Sequence, residues 1–319
     1  MSIDYISDIH LDFYVSHKNG LNEKAKAKIR TLVLSLIPIN SESKILVIAG
    51  DIGHYNEQNK YFLEYISEFY ENIVFCLGNH DKYLVSKKQI NKYKNSHGRV
   101  REMVYFAKKF DNIHCLDVLD QTMVCIDEYV FVGGCGSWGE IANSTDNFNT
   151  RRKFTGLYEV AMMSYPQIMN DAKYIVNGYN DRYDDSPAMQ DLTPLRDLKK
   201  FNHFVGDSVR FINDFPIVKN FVFVSHYPIK FNDIPFHHVY DPYYYMIPNN
   251  EIFAFASNCV NIHGHVHKRT KFMSDNQYSN ALGYPNEVHK FNGLVRNPVG
   301  VYDCDNVFES DSIIKTINF

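Results

Sequence analysis

Residues 44–55 read KILVIAGDIGHY. Lys44 to Ala49 is a nearly continuous apolar run, the pattern of a strand buried on both faces of a sheet. Gly50-Asp51 follows where the run stops. The same arrangement recurs on either side. Ile3 to Ser7 reads as a short strand, with Asp8-Ile9-His10 at its end. Ile73 to Leu77 reads as the next strand, with Gly78-Asn79-His80-Asp81 at its end. Helical stretches separate them. Asn22 to Leu36 places Ala25, Ile29, Leu32, Val33 and Leu36 at helical spacing, and Pro38 marks its stop. Tyr61 to Tyr70 and Val100 to Phe110 read as further helices. Alternating strands and helices imply right-handed crossovers and a parallel sheet.

After Asp111 the texture changes. Ile113 to Leu116, Thr122 to Ile126 and Tyr129 to Gly133 are short strands with close turns, so hairpins are expected. Residues 137–216 break this rhythm. They are polar, of mixed charge, and contain helical pieces at Leu157 to Met163 and Leu195 to Phe204. We read them as an inserted helical cap within a single domain spanning 1–319. The strand pattern resumes at Phe221 to Val224, ending in Ser225-His226. Cys259 to Ile262 ends in His263-Gly264-His265-Val266-His267. Each motif thus begins where a strand stops, and in open α/β sheets ligands gather beyond the carboxyl ends of strands.

Composition narrows the classes. An apolar fraction of 45% is that of a folded globular chain. A net charge of −4 gives no support for broad binding to nucleic acid. The six cysteines form no C-x-x-C pair, and most lie in apolar runs, so reduced core thiols are expected. No run reaches the roughly 18 apolar residues of a membrane span, and Met1 to Tyr5 has no secretory character. A cytoplasmic location is expected.

The motifs supply two Asp, one Asn and four His as metal ligands. Nitrogen and oxygen donors without thiolates suit first-row divalent ions. A carboxylate between two such ions sets up in-line attack on phosphorus. Asp8 and His10, like His265 and His267, are separated by one residue. In an extended segment each pair would face one side. Asp51 is the natural bridging carboxylate, and Asn79 a neutral oxygen ligand that limits negative charge. His226 adds a nitrogen. His80, beside Asn79, points elsewhere and suits protonation of a leaving oxygen or stabilisation of the transition state. Asp81 is left to orient His80 or to cap the next segment.

Together these residues resemble the calcineurin-like metallophosphoesterase superfamily, whose pattern is D-x-H, G-D, G-N-H-[DE], a single His, and G-H-x-H. The resemblance spans positions 8 to 267. It implies a four-layer α-β-β-α sandwich and a centre of two divalent metal ions. Asp8, His10 and His267 would hold one ion and Asn79, His226 and His265 the other. Asp51 would bridge them, and His80 would serve as the acid or transition-state residue. Mn²⁺ is the first expectation, with Fe, Zn, Co or Ni as other occupants. The superfamily's protein Ser/Thr phosphatases continue the second motif as G-D-x-x-D-R-G. Here it reads Gly50-Asp51-Ile52-Gly53-His54-Tyr55, which counts against that branch.

Other residues stay open. His54 either enters the pocket as a substrate contact or is a loop histidine. Arg151, with Arg152 and Lys153, either meets a phosphate or a nucleic-acid strand or forms a solvated face. His263 should point away from the metals. The leading function is a phosphoesterase for a small phosphorylated substrate, with a leaning to phosphodiesters or nucleotides. A nuclease is the alternative, disfavoured by the net charge. A non-catalytic scaffold would be expected to lose ligands, and none is missing. No protein partner is legible.

Overall fold

The computed structural model describes residues 2–38, 41–117, 120–133, 170–176, 220–227, 260–265, 267, 269–272, 277–285 and 314–318. Most of the stretch 137–216 lies outside them, including Arg151 and both helical pieces expected there.

The first sheet is built from β1 (Ser2–Ile6), β2 (Ile45–Ala49), β3 (Asn72–Cys76) and β4 (Ile113–Leu116), mutually parallel in that order. A late strand, β11 (Lys315–Asn318), pairs antiparallel with β1. Helices α2 (Glu23–Leu36), α3 (Asn56–Ile66) and α5 (Ser96–Ala107) cover one face. The expected apolar stripe of α2 is the buried one, and the Asn22 side chain caps the helix by accepting from Ala25 N at 2.9 Å.

α3 begins earlier than the apolar pattern indicates, because its first turn is polar yet buried. Asn56, Gln58 and Asn59 are at most 2% exposed. They donate to the carbonyls of Arg99 (3.0 Å), Val15 (3.1 Å) and Gly53 (2.8 Å). α5 is likewise shifted to an earlier start, capped by Asn95 on Gly98 N at 2.9 Å.

The second sheet has the order β5 (Met123–Ile126), β6 (Tyr129–Gly133), β7 (Asn220–Val224), β8 (Val260–His263), β10 (Gln277–Asn280), β9 (Arg269–Phe272). β5 and β6 form the expected hairpin. β4 does not join it: it stays in the first sheet, and the chain crosses to the second after it. Burial explains the crossing. Val47, Val74 and Leu116 from the first sheet meet Ile126, Phe131, Val222 and Ile262 from the second in one core. Burying each such side chain contributes about 1.5–3 kcal/mol. Helices, first sheet and second sheet give three stacked layers among the described residues. Short elements complete the first half: α1 (Leu11–Tyr14), α4 (Lys87–Tyr93) and a 3₁₀ turn at His80–Lys82. One more helix, α6 (Asn170–Tyr174), comes from within 137–216.

The sheets touch beyond β1 and β10. Ser7 bridges to Ala281, and Gly283 N donates to Asp8 O at 2.9 Å. The strand ends of both sheets meet there.

Candidate metal centre

β1, β2 and β3 stop side by side, and the loops after them are laced by backbone bonds. Asp8 N donates to Gly50 O (3.0 Å), His10 N to Asp51 O (3.0 Å) and Leu11 N to Ile52 O (2.8 Å). Asp81 staples the same loops. Its carboxylate accepts from the backbone nitrogens of Asp51 (2.8 Å), Ile52 (3.1 Å), Gly53 (3.2 Å) and Gly78 (2.9 Å). Asp81 therefore organises the second motif. Two motif glycines are dictated by close approach. A Cβ at Gly78 would lie 2.1 Å from Asp51 Oδ1, and one at Gly264 would lie 2.5 Å from Asp8 Oδ2.

Asp8, His10, Asp51, His265 and His267 have φ of 51°, 48°, 57°, 67° and 47°. This is the left-handed region, which non-glycine residues enter at a cost of about 1–3 kcal/mol each. Only Lys94 and Asp127 share it among the other described non-glycine residues, so the strain is concentrated at this centre. The Asp8/His10 and His265/His267 pairs thus converge through sharp turns and not, as expected, through alternation along an extended segment.

Three tight groups of donors result. Asp8, His10 and His267 form one, Asp8, Asp51 and His226 another, and His10, Asp51 and His80 a third, with ligand atoms within 4.8 Å of one another in each. His10 Nε2 lies 3.0 Å from His267 Nε2, and His267 Nε2 lies 3.5 Å from Asp8 Oδ1. His226 Nε2 is 3.2 Å from Asp51 Oδ2 and 2.9 Å from Asn79 Oδ1. A carbonyl can only accept, so the 2.9 Å contact of His226 Nδ1 with Ala49 O places a proton on Nδ1 and turns Nε2 toward the site. His265 sits at the margin, outside the tight groups. Its ring stacks on Tyr227 at 3.7 Å and meets His226 edge-on at 5.2 Å, while its backbone N–H donates to Asp8.

His80 belongs to the third of these groups and is also held by protein partners. Its Nδ1 is 2.8 Å from His54 Nε2, and His54 Nδ1 is 2.8 Å from Asp12 Oδ2. His80 Nε2 faces the Tyr284 hydroxyl at 3.3 Å. His54, the candidate substrate contact, therefore has both ring nitrogens on protein partners. His263 is buried with Nδ1 near Gly264 O, 3.2 Å away, in keeping with a structural role.

Electrostatics suit a cation. Asp8 and Asp51 are buried. Burial pushes their carboxyls up, but His267 beside Asp8 and His226 beside Asp51 outweigh it, so both stay ionised. Burial drives His10 down to about 3 and His265 well below its usual range, leaving neutral imidazoles with lone pairs. Burial also lowers His226, yet Asp51 and Asp8 lift it to about 9. Two buried carboxylates, a carbonyl-type oxygen and imidazole nitrogens, with no thiolate, are the donor set for borderline divalent ions.

Three residues of this neighbourhood have no counterpart in the motifs. Asp12 follows His10 by two positions, a spacing that gave a faint signal. Tyr284 stacks on His10 at 4.5 Å; it follows Gly283 beyond a short strand, the same positional cue as the motifs. Asp171 accepts from Asn79 Nδ2 at 2.8 Å, and nothing in its sequence context marks it. Arg151 lies outside the described residues.

The sequence model of the calcineurin-like phosphoesterase family matches residues 1–269. An uncharacterised protein of Acanthamoeba polyphaga mimivirus is 24% identical over 316 residues, covering 94% of this chain and 96% of that protein. The crystal structure of a phosphopantetheinyl hydrolase from Mycobacterium tuberculosis superimposes with a TM-score of 0.62 at 13% identity. It covers 99% of this chain and 95% of its own, which establishes a shared fold. The family match takes in every motif residue from Asp8 to His267, and the chain belongs to the calcineurin-like phosphoesterases, metal-dependent hydrolases of phosphoric esters.

Proposed function

We propose that this chain hydrolyses a phosphodiester or nucleotide with two divalent ions, Mn²⁺ being the working metal. The observation that carries the reading is the convergence of Asp8, His10, Asp51, His226 and His267 into overlapping donor groups. Asp8, His10 and His267 would hold one ion, and Asn79, His226 and His265 the other, with Asp51 between them. Bound ions of this kind neutralise phosphoryl oxygens and make water a nucleophile at neutral pH.

The protein's own residues do the rest. The Asp12 carboxylate accepts Nδ1–H of His54. With Nε2 of His54 as the acceptor, the proton between the two rings belongs to His80 Nδ1. His80 Nε2 is left facing the site. A proton carried there can pass to the departing oxygen of the ester. Tyr284, stacked on His10 and near Nε2 of His80, walls this space and offers a hydroxyl to the substrate. Residues Cys115 and Cys125, unbonded thiols, fit a cytoplasmic setting.

The test uses metal-stripped protein reloaded with Mn²⁺, comparing bis-p-nitrophenyl phosphate with p-nitrophenyl phosphate. The expected result is faster turnover of the diester. Faster turnover of the monoester would overturn the diester assignment while keeping the hydrolase. No turnover of either, with two ions bound, would overturn the proposed chemistry for generic phosphoesters.

A further inference from the structure

Asp171 belongs to α6, within the stretch of chain that the motifs leave out, yet it is fully buried against them. Its Oδ1 accepts from Asn79 Nδ2 at 2.8 Å and from the Tyr83 hydroxyl. Its Oδ2 accepts from the Tyr227 hydroxyl at 3.2 Å. Backbone bonds fasten the segment around it. Leu84 N donates to Tyr174 O (2.8 Å), Ser96 N to Val176 O (2.8 Å), and Val176 N to Ser96 Oγ (2.9 Å). Ile175 is buried beside them. Residues 170–176 are therefore built into the floor of the loop that carries Asn79.

The chemistry of an amide gives this contact a purpose. Asn79 has an acceptor end and a donor end of nearly equal size, and a half-turn about its last bond exchanges them. A cation can use only the oxygen. A carboxylate can only accept, so Asp171 must face the NH₂ group. That turns Oδ1 toward His226 Nε2, 2.9 Å away. The Tyr83 hydroxyl, also 3.1 Å from Asn79 Nδ2, completes the cradle. The influence extends further. Tyr227, bonded to Asp171, is the ring on which His265 stacks at 3.7 Å.

We propose that Asp171 is the positioning residue for the ion held by Asn79, His226 and His265: it locks the Asn79 amide with its oxygen toward the ion and steadies His265 through Tyr227. The proposal rests on the reading of those three residues as ligands. Outer-shell partners of this kind typically change metal affinity by about 10–100-fold when removed.

The experiment titrates Mn²⁺ into metal-stripped full-length protein by calorimetry, with metal content checked after desalting. Wild type, Asp171→Asn, Asn79→Ala and the double variant Asn79→Asp/Asp171→Asn are compared, with circular dichroism confirming the fold. Wild type should bind two ions. Asp171→Asn should keep the first and bind the second about 10–100-fold more weakly. The double variant restores a donor facing an acceptor and should recover the second ion. Wild-type affinity for both ions in a folded Asp171→Asn, alongside loss of the second ion in Asn79→Ala, would overturn the role of Asp171 alone. Wild-type binding in Asn79→Ala as well would instead remove Asn79 from the ligand set. If Asp171→Asn does not fold, the double variant decides: a folded double variant without the second ion overturns the proposal, and one with two ions upholds it.

Discussion

The two sheets contribute to the centre in unequal ways. The first sheet supplies Asp8, His10, Asp51, Asn79 and His80 from successive parallel strand ends, and its loops are bonded to one another before any second-sheet residue is involved. The second sheet supplies His226, His265 and His267. Two of these are oriented by first-sheet groups: His226 through Ala49 O, and the His265 backbone through the Asp8 carboxylate. The first half is a template with its own internal bonding. The second half has bonds of its own, Ser225 N to Ile262 O (3.1 Å) and Gly264 N to His226 O (2.9 Å), yet aims two of its histidines by first-sheet groups. Damage to the template should therefore spread, while damage to the docked half should stay local.

The largest effect is expected at Asp81, whose carboxylate is the hub of the template. Asp81→Ala strands backbone donors of Asp51, Ile52, Gly53 and Gly78, each costing about 1–3 kcal/mol when buried and unpaired. Set against a typical total of about 5–15 kcal/mol, the loss should appear as a collapse of the denaturant midpoint. A variant that unfolds at the wild-type midpoint would refute the hub. His80→Ala should leave metal content and midpoint unchanged but lower kcat by about 10²–10⁴-fold, most for poor leaving groups. Equal losses for good and poor leaving groups would argue against proton donation. His226→Ala sharpens the contrast: it should lose one of two ions and retain the other, with a fall in melting temperature smaller than that of Asp81→Ala. Loss of both ions would show that the two halves are not independent in the proposed way.

The smallest effect lies on the outer helices of the template. Burial pushes the Glu102 carboxyl up, but bonds from Lys60, Tyr93 and Lys92 hold it at about 2, below its usual 4.5. A carboxyl held low in the fold adds stability that is complete above pH 4.5 and vanishes as pH falls through about 2. The melting difference between wild type and Glu102→Gln should therefore be widest near neutrality and close as pH drops through that window. The group is part-exposed, so the difference will be modest. A difference that grows toward acid would contradict the sign.

The same asymmetry explains what the sequence discloses. Strands β1, β2 and β3 are nearly pure apolar runs ended by motif residues, so both the sheet and the candidate ligands at its edge are legible from pattern. The start of α3 is not, because Asn56, Gln58 and Asn59 look like a loop and are buried through bonds to distant carbonyls. The destination of β4 was hidden for a related reason: strand periodicity tells which face is buried, not which sheet buries it. His54 and Asp12 carry no periodic signal, and their partnership with His80 appears only once α1 and the loop after β2 are adjacent. Asp171 is the extreme case, a lone acidic residue in a polar stretch, recognisable only from the amide it faces.

The pairing of β1 with β11 has a consequence for how the chain assembles. Ser2 lies opposite Asn318 and Tyr5 opposite Lys315, so the first strand gains its outer neighbour from residues more than 300 positions later. Closing so long a loop is entropically slow, and folds dominated by such contacts form late. Until residues 315–318 arrive, β1 presents an open row of amides and carbonyls, a template for pairing with another chain. Refolding yield should therefore fall with protein concentration, and a free peptide matching 314–318 should compete for that edge.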